Sequence, residues 1–177
     1  AYTNRANLFM EKNDFESAKS DFRKVIILQP ENSFGWYNMG GCFLRNNEFD
    51  SSIIYFEKAI KLKPEYAPSW NNCGFAYLQK KDNTKAIFYL NKALSLKNDE
   101  PTTWMNLGVA LLNQTKFTEA IQKFDKSITI NPQFGNAYAY RAICKVALKN
   151  KAGAQADIAL AEKNGYPVPE TVKALAR

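Results

Sequence analysis

Aromatic, glycine and proline residues recur every 34 positions along this chain of 177 residues. The three tryptophans Trp36, Trp70 and Trp104 keep this spacing, and a glycine follows four positions after each of them. A period of this length is typical of stacked repeats, in which each unit packs mainly on its sequence neighbours. The chain is therefore expected to form an array of small units rather than a single compact core.

The prolines set the frame of the array. Pro30, Pro64 and Pro132 share one grid position, with Asn98 in the remaining slot. This frame predicts five units, at 1–32, 33–66, 67–100, 101–134 and 135–168, followed by a partial capping helix at 169–177. Each unit contains two stretches with apolar residues at helical spacing, and the residue before a proline is driven out of helical geometry. We therefore expect two helices in each unit.

The recurring residues resemble the tetratricopeptide repeat (TPR) pattern W-x2-L-G-x2-Y, followed by A, F, A and P over 34 residues. The fourth unit matches it with Trp104, Leu107, Gly108, Leu111, Ala120, Phe124, Ser127 and Pro132. The resemblance implies an all-α fold, a right-handed TPR solenoid of antiparallel helix pairs with a C-terminal capping helix. It also implies that the first helices line a concave face. The small eighth residue is expected where the paired helices cross closely, and the aromatic fourth residue between neighbouring units.

Charge and cysteine content exclude several classes of function. The net charge is +7, but lysines such as Lys58 and Lys92 recur at one repeat position and indicate a solvated surface. Because no recognised nucleic-acid motif accompanies this charge, no nucleic-acid partner is expected. The three cysteines are isolated and the chain has no histidine, so buried inert thiols are expected and no metal or other cofactor. No apolar run is long enough for insertion into a membrane.

Four asparagines occupy the sixth position of consecutive units: Asn4, Asn38, Asn72 and Asn106. Stacking is expected to bring them into a row on the concave face. A side-chain amide can bind both the N–H and the C=O of an extended peptide without reading its side chains. Alternatively, asparagine at this position serves the fold itself, and the sequence leaves both interpretations open.

Other first-helix residues complete the predicted peptide site. They are Tyr37, Gly41, Arg45, Phe75, Gln79, Met105 and Asn113. Gly41 directly follows Gly40, and we expect it to leave a hole flanked by Tyr37 and Phe75 that accepts one ligand side chain. The alternative is that the apolar groups pack on each other and line an empty groove.

One TPR binding mode can be tested residue by residue. Co-chaperone TPR domains hold an acidic C-terminal tail with a clamp of Lys, Asn, Asn, Lys and Arg. The matching slots of the first three units contain Thr3, Asn7, Asn38, Pro68 and Asn72. The three cations are missing, and a clamp based on charge-assisted hydrogen bonds cannot work without them. Chaperone tails are therefore not expected as partners.

The sequence predicts a non-catalytic protein–protein interaction module that binds an extended peptide or a partner helix in its groove. No constellation of residues resembles a catalytic site. One alternative is a structural scaffold that self-associates as a homo-oligomer or joins a larger assembly. Another is the substrate-docking arm of an enzyme whose catalytic domain is outside this chain. The first unit lacks two opening positions, which agrees with an upstream segment, and the cytoplasm is the preferred compartment.

Overall fold

The structure is a computed structural model that describes residues 1–177 and contains eleven α-helices and no strand. It divides into two compact units, residues 1–96 and 97–177. The first unit contains α1 (Tyr2–Glu11), α2 (Phe15–Leu28), α3 (Ser33–Arg45), α4 (Phe49–Leu62), α5 (Ala67–Gln79) and α6 (Asn83–Leu96). The second contains α7 (Pro101–Asn113), α8 (Phe117–Ile130), α9 (Gly135–Ala147), α10 (Lys151–Lys163) and α11 (Glu170–Ala176).

Consecutive helices pair within each unit, as the repeat predicts. In the first unit α1 packs on α2, α3 on α4 and α5 on α6, and the α2–α3 and α4–α5 interfaces join the pairs. In the second unit α7 pairs with α8 and α9 with α10, while α11 covers α9 and α10. The predicted all-α solenoid of helix pairs is confirmed. None of the helices combines the length and apolar character that a membrane span requires.

The glycine at the eighth repeat position allows the two helices of a pair to approach closely. A Cβ added to Gly40 would lie 2.8 Å from the Phe56 ring, and one added to Gly108 would lie 2.5 Å from the Phe124 ring. Real Cβ atoms essentially never come this close to another heavy atom. The close crossing predicted from the sequence is therefore confirmed, and it accounts for a residue that otherwise weakens a helix interior.

Each tryptophan donates a hydrogen bond to a backbone carbonyl of the linker that precedes its own helix. The indole Nε1 of Trp36 donates to the Pro30 carbonyl oxygen at 2.8 Å, and Trp70 donates to the Pro64 carbonyl at 2.7 Å. In the second unit Trp104 donates to the carbonyl of Asn98 at 2.8 Å. Since the acceptor is a backbone oxygen, Asn98 can replace proline in this slot without loss of the bond.

The turn between the two helices of each pair contains a residue in the left-handed region, and this residue recurs with the repeat. The five positions are Asn13, Asn47, Lys81, Thr115 and Lys149, with φ between 58° and 63°. In each turn the N–H groups of this residue and of the next one donate to carbonyls at the end of the first helix, as in a Schellman motif. At Thr115, for example, its own N–H donates to Leu112 and that of Lys116 donates to Leu111.

The first and last helix pairs each contain an ion pair between an arginine and a buried aspartate. Arg5 donates to both carboxylate oxygens of Asp21, at 2.6 and 2.8 Å, and Arg141 donates to both of Asp157, at 2.8 and 2.5 Å. Asp21 is 2% exposed and Asp157 is 1% exposed. Arg141, which departs from the apolar family pattern, is therefore accounted for by a buried partner, since a bidentate pair satisfies the acid.

The cysteines are buried free thiols, as expected from the sequence. Burial raises the pKa of Cys42 to about 11 and that of Cys144 to about 12. The pKa of Cys73 is raised further by burial. Because the thiolate is the reactive species, these three side chains act as small apolar core residues.

Candidate peptide-binding site

A pocket of about 360 Å³ opens among the first helices of the first unit. We call it the Gly41 pocket, and the residues that line it are Asn7, Met10, Glu11, Phe22, Tyr37, Asn38, Gly41, Leu44, Arg45 and Asn72. Its lining combines apolar side chains with the amides of three asparagines, one acid and one base. The volume lies at the lower end of the range for ligand sites in proteins.

Gly41 and its neighbour Gly40 lack a side chain for different reasons. A Cβ on Gly40 would collide with the Phe56 ring at 2.8 Å, whereas a Cβ on Gly41 would meet nothing within 4 Å. Both lie in the interior of α3. A glycine in a helix interior costs about 1 kcal/mol relative to alanine. Packing explains this cost at Gly40, but at Gly41 no protein atom requires the space, which stays open to the pocket.

The amides of Asn38 and Asn72 differ in how far they are already engaged. The Nδ2 of Asn72 donates to the Tyr37 hydroxyl at 3.2 Å, and its Oδ1 accepts from Asn71 at 3.2 Å. These contacts fix the orientation of the Asn72 side chain. The side chain of Asn38 is half-buried and makes no hydrogen bond to another side chain or to the backbone. Its donors and its acceptor therefore remain available beside the pocket.

Tyr37 forms a rigid wall of the pocket. Its ring lies 5.8 Å from that of Phe56 and 5.3 Å from that of Tyr66, centroid to centroid, the second contact being edge-on. Such aromatic pairs contribute beyond the area that they bury. Burial raises the pKa of the Tyr37 phenol, so the hydroxyl stays protonated at neutral pH and can both donate and accept a hydrogen bond.

Arg45 is the cation of the pocket and is held from one side. Its guanidinium lies 5.9 Å from the centre of the Phe15 ring, and its Nη2 donates to the Asn13 side-chain oxygen at 3.1 Å. No carboxylate lies within ion-pair distance of it. Glu11 lines the same pocket and likewise has no cationic partner. The pocket thus presents one positive and one negative group that are not paired with each other.

The structure brings together five of the residues that the sequence predicts for the site. They are Tyr37, Asn38, Gly41, Arg45 and Asn72. The expected hole at Gly41 is present, but Tyr37 alone of its two predicted flanks borders it. Phe75 is half-buried on α5 and does not line the pocket. On α1, the residues that line the space are Asn7, Met10 and Glu11, so it is shared with the preceding helix pair.

The remaining predicted residues lie outside the Gly41 pocket. Asn4 is exposed on α1 and Gln79 is exposed at the end of α5. In the second unit Met105 is half-buried on α7, Asn113 is exposed at the end of that helix, and Asn106 is only 3% exposed. The four asparagines of the predicted row therefore differ in accessibility, from exposed at Asn4 to buried at Asn106.

Five lining residues were not among the predicted contacts: Asn7, Met10, Glu11, Phe22 and Leu44. Two of them, Met10 and Glu11, are adjacent at the end of α1. The repeat itself contains the signal that could have identified them. Met10 and Leu44 are 34 residues apart, as are Glu11 and Arg45, so each pair occupies one repeat position. If the first repeat, residues 1–32, is treated as a full member of the array despite its divergent residues, both side chains are expected in the groove.

The described residues contain no group of three or more His, Cys, Asp or Glu side chains suited to a metal ion. The chemistry of the pocket is therefore that of apolar contact, amide hydrogen bonds and two opposite charges.

Comparisons with known proteins identify the family of the chain. Models described as tetratricopeptide repeat match residues 3–67, 67–100 and 101–134. No match to a curated protein sequence was found. Solved structures share the fold at low sequence identity. PilF of Pseudomonas aeruginosa has a TM-score of 0.88 at 20% identity, over 98% of this chain and 79% of that one.

Two further structures cover most of both chains. MamA of Desulfovibrio magneticus RS-1 has a TM-score of 0.85 at 15% identity over 92% of each chain. YrrB, described as a TPR protein with an unusual peptide-binding site, has a TM-score of 0.77 at 20% identity, over 99% of this chain and 88% of that one. At these identities the likeness concerns the fold, whereas the family models match the sequence itself over most of its length. The chain belongs to the tetratricopeptide repeat family.

Proposed function

We propose that this protein is a non-catalytic interaction module that binds an extended peptide across α1, α3 and α5, with one apolar side chain in the Gly41 pocket. The observation that carries this proposal is the open space at Gly41. A helix-interior glycine without a packing reason lowers stability, so its place in the chain is accounted for by an occupant from outside.

The groups around the pocket suit a peptide. Met10, Leu44 and the Tyr37 ring supply apolar contact for a side chain. The free amide of Asn38 and the oriented amide of Asn72 can bind the peptide backbone on either side of that residue. A pocket with mostly apolar walls and a few placed polar groups is the usual form of a ligand site.

The family supports this class of function, since tetratricopeptide repeats as a group are protein-interaction modules. The structural likeness to YrrB, whose description names a peptide-binding site, agrees with it. The clamp slots argue against chaperone tails, because Thr3 and Pro68 occupy two of the three positions that would need a cation. The other sequence-derived contacts stay predictions: Asn4, Phe75, Gln79, Met105, Asn106 and Asn113.

The test begins with a random peptide library selected on the wild-type protein, followed by affinity measurement of the selected peptides. Gly41→Leu fills the pocket and is expected to weaken binding by about tenfold or more, since an occluded pocket excludes the buried side chain. Ala156→Leu adds the same side chain to an exposed position of α10 and serves as the matched control. Unchanged affinity in Gly41→Leu would refute the proposal.

Gly41→Ala separates binding from stability. Alanine meets no atom within 4 Å at this position, so the free energy of unfolding is expected to rise by about 1 kcal/mol. Urea denaturation followed by circular dichroism measures this change. A variant that is more stable but binds more weakly would indicate that the glycine serves the ligand. A fall in stability would show that the space at Gly41 is not open in the folded protein.

A further inference from the structure

The charged residues of the Gly41 pocket indicate which charges its ligand has, in addition to an apolar side chain. We infer that the ligand is an extended peptide with opposite charges on the two sides of that residue, an acidic group that contacts Arg45 and a basic group that contacts Glu11. The inference rests on the proposed function, because it names the partner of the same site.

Arg45 is prepared for an anion. The Phe15 ring below it and the single hydrogen bond from Nη2 to Asn13 hold the guanidinium in place while leaving most of its five N–H donors unused. Arg5 and Arg141, in contrast, each bind a buried aspartate of their own helix pair. An arginine that is already positioned loses little conformational entropy when it binds a carboxylate, and its planar group can do so with two parallel hydrogen bonds.

Glu11 provides the opposite charge at the equivalent place of the preceding repeat. It is the last residue of α1, as Arg45 is the last residue of α3. Both line the same pocket, yet no ion pair joins them within 4.0 Å. Because these two opposite charges do not pair with each other, each can bind an oppositely charged group of the ligand. A peptide with a single charge would gain an ion pair with only one of these two exposed groups.

The arrangement also gives the ligand a direction. Glu11 belongs to α1 and Arg45 to α3, so a chain that runs across the pocket from α1 to α3 has the acid on its first side and the base on its second. The basic residue must therefore lie on the α1 side of the buried apolar residue and the acidic residue on the α3 side. Reversal of the charge order would place like charges opposite each other, which disfavours binding.

The experiment uses synthetic peptides that are acetylated, amidated and fluorescently labelled, and whose affinities are measured by fluorescence anisotropy. One set has a central Leu or Phe with a Lys on one side and a Glu on the other, at spacings of one to three residues. A second set reverses the charge order, and a third has uncharged Gln at both positions. We expect one charge order to bind about fivefold more tightly than the uncharged set, a preference that weakens with salt.

The decisive variant exchanges the two charges, Glu11→Lys with Arg45→Glu. It is expected to prefer the reversed peptides, while the net charge of the protein is unchanged. Arg23→Glu with Glu31→Lys is the matched control, since neither residue lines the pocket. Arg45→Gln alone provides a second readout if the double variant is poorly folded, and it should lose the dependence on the acidic residue only.

The outcomes distinguish this inference from the function on which it rests. If all three peptide sets bind equally and Gly41→Leu still abolishes binding, the charge order is wrong and the pocket is right. If the exchanged variant keeps the wild-type preference, the assignment of Glu11 and Arg45 is overturned. If no peptide with a central apolar residue binds at any spacing, and library selection also yields none, the proposed function itself fails.

Discussion

The residue type at the left-handed turn position of each repeat is expected to affect the stability of the protein. Four of the five turns contain Asn or Lys at this position, but the fourth contains Thr115, with φ of 59°. The left-handed conformation costs about 1–2 kcal/mol for an L-residue, and asparagine tolerates it through its short polar side chain. A β-branched residue in this region is a genuine outlier. Thr115→Asn is therefore expected to stabilise the protein.

The magnitude follows from the environment of Thr115. The residue is exposed, and the hydrogen bond from its hydroxyl to the Gln114 carbonyl at 2.7 Å can be replaced by water. The backbone bonds of the turn do not depend on the side chain and are retained. We expect the free energy of unfolding to rise by about 1 kcal/mol, most of the difference between the two residues in this conformation. In a chain of this size, that raises the thermal midpoint by about 2–4 °C.

Urea and thermal denaturation followed by far-ultraviolet circular dichroism measure this change. The array provides its own reciprocal control, because Asn47 occupies the same position two repeats earlier with φ of 61°. Asn47→Thr is expected to lower stability by a similar amount. If both substitutions leave the midpoints unchanged, the conformational cost is not what distinguishes these turns, and the reasoning from φ is refuted.

Three further predictions concern packing and charge. Gly108→Ala should lower the free energy of unfolding by about 1–3 kcal/mol, measured in urea, because its Cβ would lie 2.5 Å from the Phe124 ring. Equal stability would mean that the two helices move apart to accept the methyl group without cost. Trp70→Phe removes one indole hydrogen bond and should cost at least about 0.5–1.5 kcal/mol by the same assay. An unchanged stability would mean that this hydrogen bond contributes nothing to the fold. The hydrogen bond from Arg5 lowers the pKa of Asp21, so this aspartate stabilises the fold above its ordinary pKa and the contribution is lost as the pH falls through the lowered pKa. Asp21→Asn should therefore have a lower urea midpoint than the wild type at neutral pH, and this difference should shrink at acidic pH. A difference in midpoint that does not depend on pH would contradict this prediction.

The sequence predicts the fold well because its determinants are local and repeated. The glycine at the eighth position requires a close helix crossing wherever it occurs, and Gly40 and Gly108 meet their expected phenyl rings. The period also indicates which helices pair, since each repeat contacts mainly the neighbouring repeats. No long-range contact has to be guessed for these features.

The candidate site is less predictable because its details depend on which side of a helix faces a neighbour. The absence of a side chain at Gly41 is visible in the sequence, but the sequence does not show whether the space opens toward Met10 or toward Phe75. Side-chain pairing is similarly hidden. Arg141 looks like a departure from the family pattern until Asp157 is seen beside it, although Arg5 and Asp21 share the same separation of 16 residues.

The hydrogen bond from each tryptophan to the carbonyl that ends the preceding repeat has a consequence for changes in chain length. Deletion of residues 33–66 would bring Trp70 to the position of Trp36, where it would find the carbonyl of Pro30 instead of that of Pro64. The array can therefore lose or gain 34 residues at a time with these hydrogen bonds intact. A deletion one residue shorter at this place would shift Trp70 by one position from its acceptor, whereas Trp104 and Asn98, six residues apart, would keep their bond. Such a deletion would also remove Gly41 and Arg45. Evolution could in this way change what the protein recognises by recombination of whole repeats, without redesign of the contacts that hold them together.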